Sequence, residues 1–278
     1  MTKIPNSDWE EHNVLIWGKT YPELSTKYYE TVCTGGTLDN GKFIRLYPIP
    51  FRYLKEDVVF TKYQWVNLKI KKATDDPRPE SYKVDIESIR TTEQVLPDKF
   101  GWLNRSKIIF KDSNYIFNGV EDLIKANRDK KTSLGFIKPK EILGIEIDER
   151  PENEYDNFIK KLESNKERSK QMEIFGPITI QELKSLEFVS KRFKIHWICN
   201  DVNCKTHKMS ILDWEAYELV RKVGIDKAYK KLEDVLNLTK YDLGFFLGNF
   251  RLYPYTFAIG GMWYPKRNKN TETLNLFK

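Results

Sequence analysis

Three cysteines and three histidines occur in the chain, and four of those six residues fall between positions 196 and 207. His196, Cys199, Cys204 and His207 are spaced His-x2-Cys-x4-Cys-x2-His. Two thiolates and two imidazoles form a borderline-soft tetrahedral donor set, the kind that zinc prefers. Asn200, Asp201 and Asn203 supply the polar turn needed to fold the donors back on one another. Four protein donors leave no position for water, so the expected role is structural, whereas a set lacking His196 leaves one position open. The competing reading packs both cysteines as small apolar side chains and leaves the histidines at the surface.

A second group of residues suits polyanion chemistry. From Tyr63 to Lys72, Gln64, Val66, Leu68 and Ile70 alternate with Tyr63, Trp65, Asn67, Lys69 and Lys71, so one face of a strand suits a core. The other face sets rings beside ammonium groups, an arrangement on which bases stack while cations meet phosphates. Arg45 and Tyr47 lie on a neighbouring candidate strand, Arg52 follows them, and Arg78 sits in a Pro-rich loop where it could clamp a phosphate. The alternatives are a second buried face with snorkelling lysines and a plain rigid loop at Arg78. Asp213 and Glu215 are two apart on a helix and point in different directions, which favours a cap and a surface group. Asp213 could also orient His207. Gly35-Gly36 lacks the Lys-Ser/Thr of a phosphate loop and reads as a turn, and no Ser/His/Asp set emerges.

Short strands must position these groups. Val14–Gly18, Thr31–Thr34, Lys42–Tyr47, Tyr63–Lys72, Tyr82–Ile89 and Lys107–Lys111 are the candidates in the first half. Helix Val120–Arg128 follows, then strands at Gly135–Ile137, Ile142–Ile147, Phe188–Cys199, Leu243–Asn249 and Phe257–Tyr264. The charged stretch 148–173 is an exposed helix or a flexible connection. One strong helix, capped by Ser210, buries Leu212, Ala216, Leu219, Val220 and Val223. The pattern predicts a strand-dominated α+β fold with two small OB-like or PUA-like β-barrels and a few helices. The expected divisions are a barrel over 1–115, a helical connection over 116–131 and a β-rich domain over 132–278 that carries the Cys/His site.

Lys and Arg outnumber Asp and Glu by 47 to 40, a formal charge of +7. Such a surface attracts polyanions, nucleic acid foremost, although genome composition alone also makes chains basic. No apolar run approaches the roughly 18–20 residues of a membrane helix, and no apolar leader opens the sequence. An odd cysteine count without a disulfide pattern fits a reducing cytoplasm.

Several stretches carry a resemblance. Gly18–Ser25, Glu30–Thr34 and Ile44–Pro50 resemble the opening of an uncharacterised bacterial family. Cys199, Cys204, His207 and Leu212–Glu215 resemble its middle motif, which does not include His196. Asp242–Gly248 and Phe257–Lys266 resemble its C-terminal strands. That family is distantly similar to dual-OB-containing proteins associated with mobile elements and phage defence, which implies two small barrels and a role near nucleic acid, and no catalytic residue. The expected function is therefore nucleic-acid binding, as a sensor or accessory component of antiviral defence recognising single-stranded or modified nucleic acid. The alternatives are a metal-dependent enzyme acting on nucleic acid or nucleotides, and a protein-binding adaptor in a defence complex.

Overall fold

The computed structural model describes residues 8–94, 101–174 and 186–267. Seven strands build the first half: β1 (Glu10–Lys19), β2 (Glu23–Ser25), β3 (Tyr29–Leu38), β4 (Phe43–Ile49), β5 (Gln64–Lys72), β6 (Ser81–Val84) and β7 (Arg90–Gln94). They lie in the order β1-β3-β4-β6-β5-β7, with β2 on β3, and a further β1–β5 pairing closes five strands into an OB-like barrel. Alternation in β5 sends Val66, Leu68 and Ile70 inward, where they meet Val14, Ile16, Ile44 and Leu46.

Strand β1 departs from alternation because it is buried on both faces. Leu15, Trp17 and Phe43 point out of the barrel, into a second cluster formed with Leu134, Phe136, Phe246 and Trp263 of the other half. Trp17 stacks on Phe246 with centroids 4.6 Å apart and planes 10° from parallel. This ring lies over Gly35, where a Cβ would come within 2.1 Å of a ring carbon. Gly35-Gly36 is thus the middle of β3 and not a turn.

The second half contains α1 (Gly101–Ile109), β8 (Ile116–Phe117), α2 (Val120–Lys130), β9 (Leu134–Ile137), β10 (Glu141–Glu149) and α3 (Glu152–Ile174). Next come β11 (Lys191–Ile198), β12 (His207–Ser210), α4 (Trp214–Val223), α5 (Ile225–Val235), β13 (Gly244–Asn249) and β14 (Phe257–Trp263). Its strands form two sheets, β10-β11-β12 and β14-β13-β9-β8, and no pairing among the described residues closes either one. Helix α2 is part of this half and not a connection, since Val120 and Leu123 share a core with Trp197 and Phe245. Residues 107–109 end a helix where the sequence suggested a strand. The strong helix is α4, capped by Asp213 in place of Ser210, and a further helix that the sequence reading did not include, α5, follows after Gly224.

Polar contacts also cross the seam. Arg45, 4% exposed, donates to Ser133 Oγ (2.9 Å) and Ser133 O (3.3 Å), while Ser133 Oγ donates to Glu80 Oε2 (2.6 Å). Lys62 Nζ lies 3.2 Å from Asp213 Oδ2 and 3.4 Å from Glu215 Oε2. Burial alone would strip the Lys62 proton, but the two carboxylates hold its pKa well above the usual 10.5. Because folded Lys62 binds its proton more tightly than the unfolded chain does, its contribution is lost as pH rises through the folded value. Burial raises the Asp213 carboxyl, so the pair is also lost in acid as Asp213 takes up a proton.

Lys62→Ala should leave the Asp213 carboxylate buried and uncompensated, at a cost of about 3–5 kcal/mol in denaturant melts at neutral pH. A loss under about 1 kcal/mol would show that the pair contributes little to joining the halves.

Candidate metal centre

Strand β11 leaves its sheet at Ile198 and the chain turns back at once into β12. The turn is built by Asp201, whose Oδ1 accepts from Asn203 N–H (2.8 Å) and whose carbonyl accepts from Cys204 N–H (3.1 Å). Trp197 pairs with His207 across the ladder, so their side chains share a face, and Cys199 returns to that face two residues on. Cys204 Sγ also accepts from Cys199 N–H at 3.2 Å. These constraints bring Cys199, Cys204 and His207 together beneath the first turn of α2, which adds Glu121.

One ligand atom from each of the four lies within 4.8 Å of the others. His207 Nε2 is 3.3 Å from Cys199 Sγ, 3.1 Å from Cys204 Sγ and 3.9 Å from Glu121 Oε2. Cys199 Sγ is 3.6 Å from Glu121 Oε2. Bond lengths of about 2.0–2.3 Å in a tetrahedron put donors about 3.3–3.8 Å apart, close to these separations. Without a cation the Cys199 thiol donates to Glu121 Oε2 and the Cys204 thiol to the Lys205 carbonyl (2.9 Å), and the imidazole nitrogen lies within reach of both sulfurs. A cation among the four satisfies all of them. Gly119 permits the approach, because a Cβ there would lie 3.1 Å from Cys199 Sγ and 2.7 Å from Asp201 Cβ.

Burial keeps the groups of the cluster neutral in the absence of a cation. Burial, with help from the neighbouring Cys204, pushes the Cys199 thiol up to about 11. Burial likewise lowers His207, against the opposing pull of Glu121 and Asp201. The pocket therefore disfavours a bare thiolate and a bare imidazolium, and a bound cation supplies the charge that a thiolate requires.

His196 takes no part in this cluster. It is one residue from Trp197 in β11, so alternation turns it to the opposite face, where Nε2 meets Glu146 Oε2 at 3.0 Å. Nor does Asp213 orient His207: it caps α4 by accepting from Glu215 N–H at 3.0 Å and pairs with Lys62. Glu121 was missed because it lies 78 residues before Cys199, although its place in the first turn of an amphipathic helix was readable. A cleft of about 630 Å³ is lined by residues including Lys42, Glu80, Asp112, Tyr115, Asp122 and Lys125 and by none of the four donors.

The basic and aromatic residues singled out in the first half do not form one surface. Arg45 is committed to the seam, and Tyr63 is 5% exposed with its hydroxyl donating to Met262 O at 3.3 Å. Tyr63 has φ 59°, just before β5, which takes it out of the strand's alternation. Trp65 packs against the shared aromatic cluster. Arg52 binds both Glu30 oxygens, at 3.0 and 2.9 Å, and Arg78 binds Asp76 while donating to Asn249 O at 2.8 Å. Lys69 stands opposite Glu11, Lys71 lies over the Trp9 ring, and Tyr47 alone among the rings is substantially exposed.

Elemental analysis of the purified protein should find a divalent metal that is lost together with thermal stability in Cys199→Ser/Cys204→Ser. His196→Ala should keep the metal, and an equal loss in that variant would contradict the donor set assigned here.

Residues 117–278 match the family described as Domain of unknown function (DUF8757), and residues 10–111 match the one described as Domain of unknown function (DUF8758). The two matches meet near the seam between the halves, and the second includes all four donors. No curated protein matches the sequence. With more than half of its length matched, the chain belongs to the DUF8757 family, preceded by a DUF8758 domain.

Proposed function

We propose that this chain is a nucleic-acid-binding protein whose second half is fastened by a structural zinc ion. The observation that carries the reading is the donor set itself. Two cysteines, a histidine and a glutamate would complete a tetrahedron around an ion without water, and the cleft of about 630 Å³ includes none of them. Soft sulfur donors in a tetrahedral set favour zinc over magnesium, calcium or manganese. A closed donor set holds the structure and leaves function to a surface.

The cation surplus supports a polyanionic partner. No helix among the described residues is long and apolar enough to cross a membrane. The motif resemblance to a family distantly similar to dual-OB-containing proteins suggests a setting in phage defence, as a sensor or accessory component recognising single-stranded or modified nucleic acid. One observation favours the enzyme alternative: Glu121 is 42% exposed and is the donor that water could displace.

Fluorescence anisotropy with a mixed-sequence oligonucleotide should give binding that weakens linearly in log K against log salt. Affinity that is absent at about 50 mM salt, or that ignores salt, would contradict the reading. Zinc-dependent turnover of a nucleotide or oligonucleotide, lost in His207→Ala with the fold retained, would replace it with the enzyme.

A further inference from the structure

The hairpin joining β13 to β14 holds an unusual surface. Phe250, Leu252, Tyr253 and Tyr255 are exposed, with Leu252 at 77%, Tyr253 at 66% and Tyr255 at 54%. Of the twelve large apolar side chains exposed among the described residues, four fall in this six-residue stretch. Scattered exposed rings need no explanation, but a concentrated apolar patch marks an interaction site.

The loop is held in shape. Tyr253 N–H donates to Phe250 O (3.2 Å), Thr256 N–H to Tyr253 O (3.0 Å) and Phe250 N–H to Thr256 O (3.3 Å). Asn249 Nδ2 donates to Pro254 O at 2.8 Å. The first half braces it, since Arg78 donates to Asn249 O (2.8 Å) and Arg251 donates to Asp75 O (3.2 Å). The rings are therefore presented to solvent without the ordering cost of a floppy loop.

Cations surround them. The Arg128 guanidinium, in the last turn of α2, lies 5.3 Å from the Tyr255 ring centroid. Lys130 and Lys131 follow on the same exposed turn, and Asn249 N–H bonds Ser133 O just beyond it. Arg251 adds a fourth positive charge. Of the nearby carboxylates, Asp75 is paired with Lys83 and Asp76 with Arg78, while Asp129 and Lys130 also line a cleft with Asp112 and Asp122.

We infer that the Phe250–Tyr255 loop and the C-terminal turn of α2 form a binding surface for single-stranded nucleic acid. Unpaired bases stack on Tyr253 and Tyr255, while Arg128, Lys130, Lys131 and Arg251 meet the phosphates. The assignment rests on the nucleic-acid reading and locates it on a surface away from the barrel residues that the sequence suggested.

The test uses the full chain and labelled oligothymidine and oligouridine, single-stranded and as duplexes, read by fluorescence anisotropy. Tyr253→Ala/Tyr255→Ala should weaken single-strand binding by at least about tenfold, at about 1–3 kcal/mol per stacked base, with the melting temperature unchanged. Arg128→Ala should reduce the salt slope by about one. Wild-type protein that binds while the double variant binds equally well overturns the loop assignment and leaves nucleic-acid binding standing. Wild-type protein that binds neither oligonucleotide overturns both. A preference for duplex over single strand overturns the stacking assignment, because paired bases offer no free faces.

Discussion

Two thiols and a carboxylate converge on one imidazole nitrogen, and that crowding is the constraint around which the second half is arranged. Neutral thiols have other acceptors, Glu121 for Cys199 and the Lys205 carbonyl for Cys204 at 2.9 Å, while burial opposes a bare thiolate. A cation held by all four donors would tie the β11–β12 hairpin to the start of α2. The same helix, two turns on, carries Arg128 to the ring of Tyr255. One short rod thus connects the donor set to the most apolar exposed loop.

The seam between the halves supplies the other support. Trp17 and Phe43 leave the barrel core to join Phe136 and Phe246, so neither half finishes its own hydrophobic packing. Arg45, Ser133 and Glu80 close that seam with a buried polar network, and Lys62 does so with Asp213. Buried charges so arranged cost little while paired and a great deal when one partner is removed. The loops meet across the same seam at Arg78 and Asn249, which is why the exposed hairpin holds its shape.

Much of the fold was legible because local rules decided it. Alternation in β5 marked Val66, Leu68 and Ile70 as core, and the clustering of four of six Cys and His residues pointed to the donor site. The rest depended on contacts far apart in sequence. Arg45 and Tyr63 have the composition of surface binders, yet the other half buries them. His196 has the right spacing, but strand alternation sets it on the wrong face, and Glu121 occupies its place from 78 residues away. The Phe250–Tyr255 run could have been noticed as an apolar, basic stretch between two strands, but only the structure distinguishes presented rings from packed ones.

The most direct measurement is zinc-edge X-ray absorption on the purified full chain. The account predicts a four-coordinate shell with two sulfurs at about 2.3 Å and two nitrogen or oxygen donors at about 2.0–2.2 Å, with the multiple-scattering signature of a single imidazole. Two imidazoles in the shell, an all-oxygen shell, or protein that takes up no zinc would contradict it.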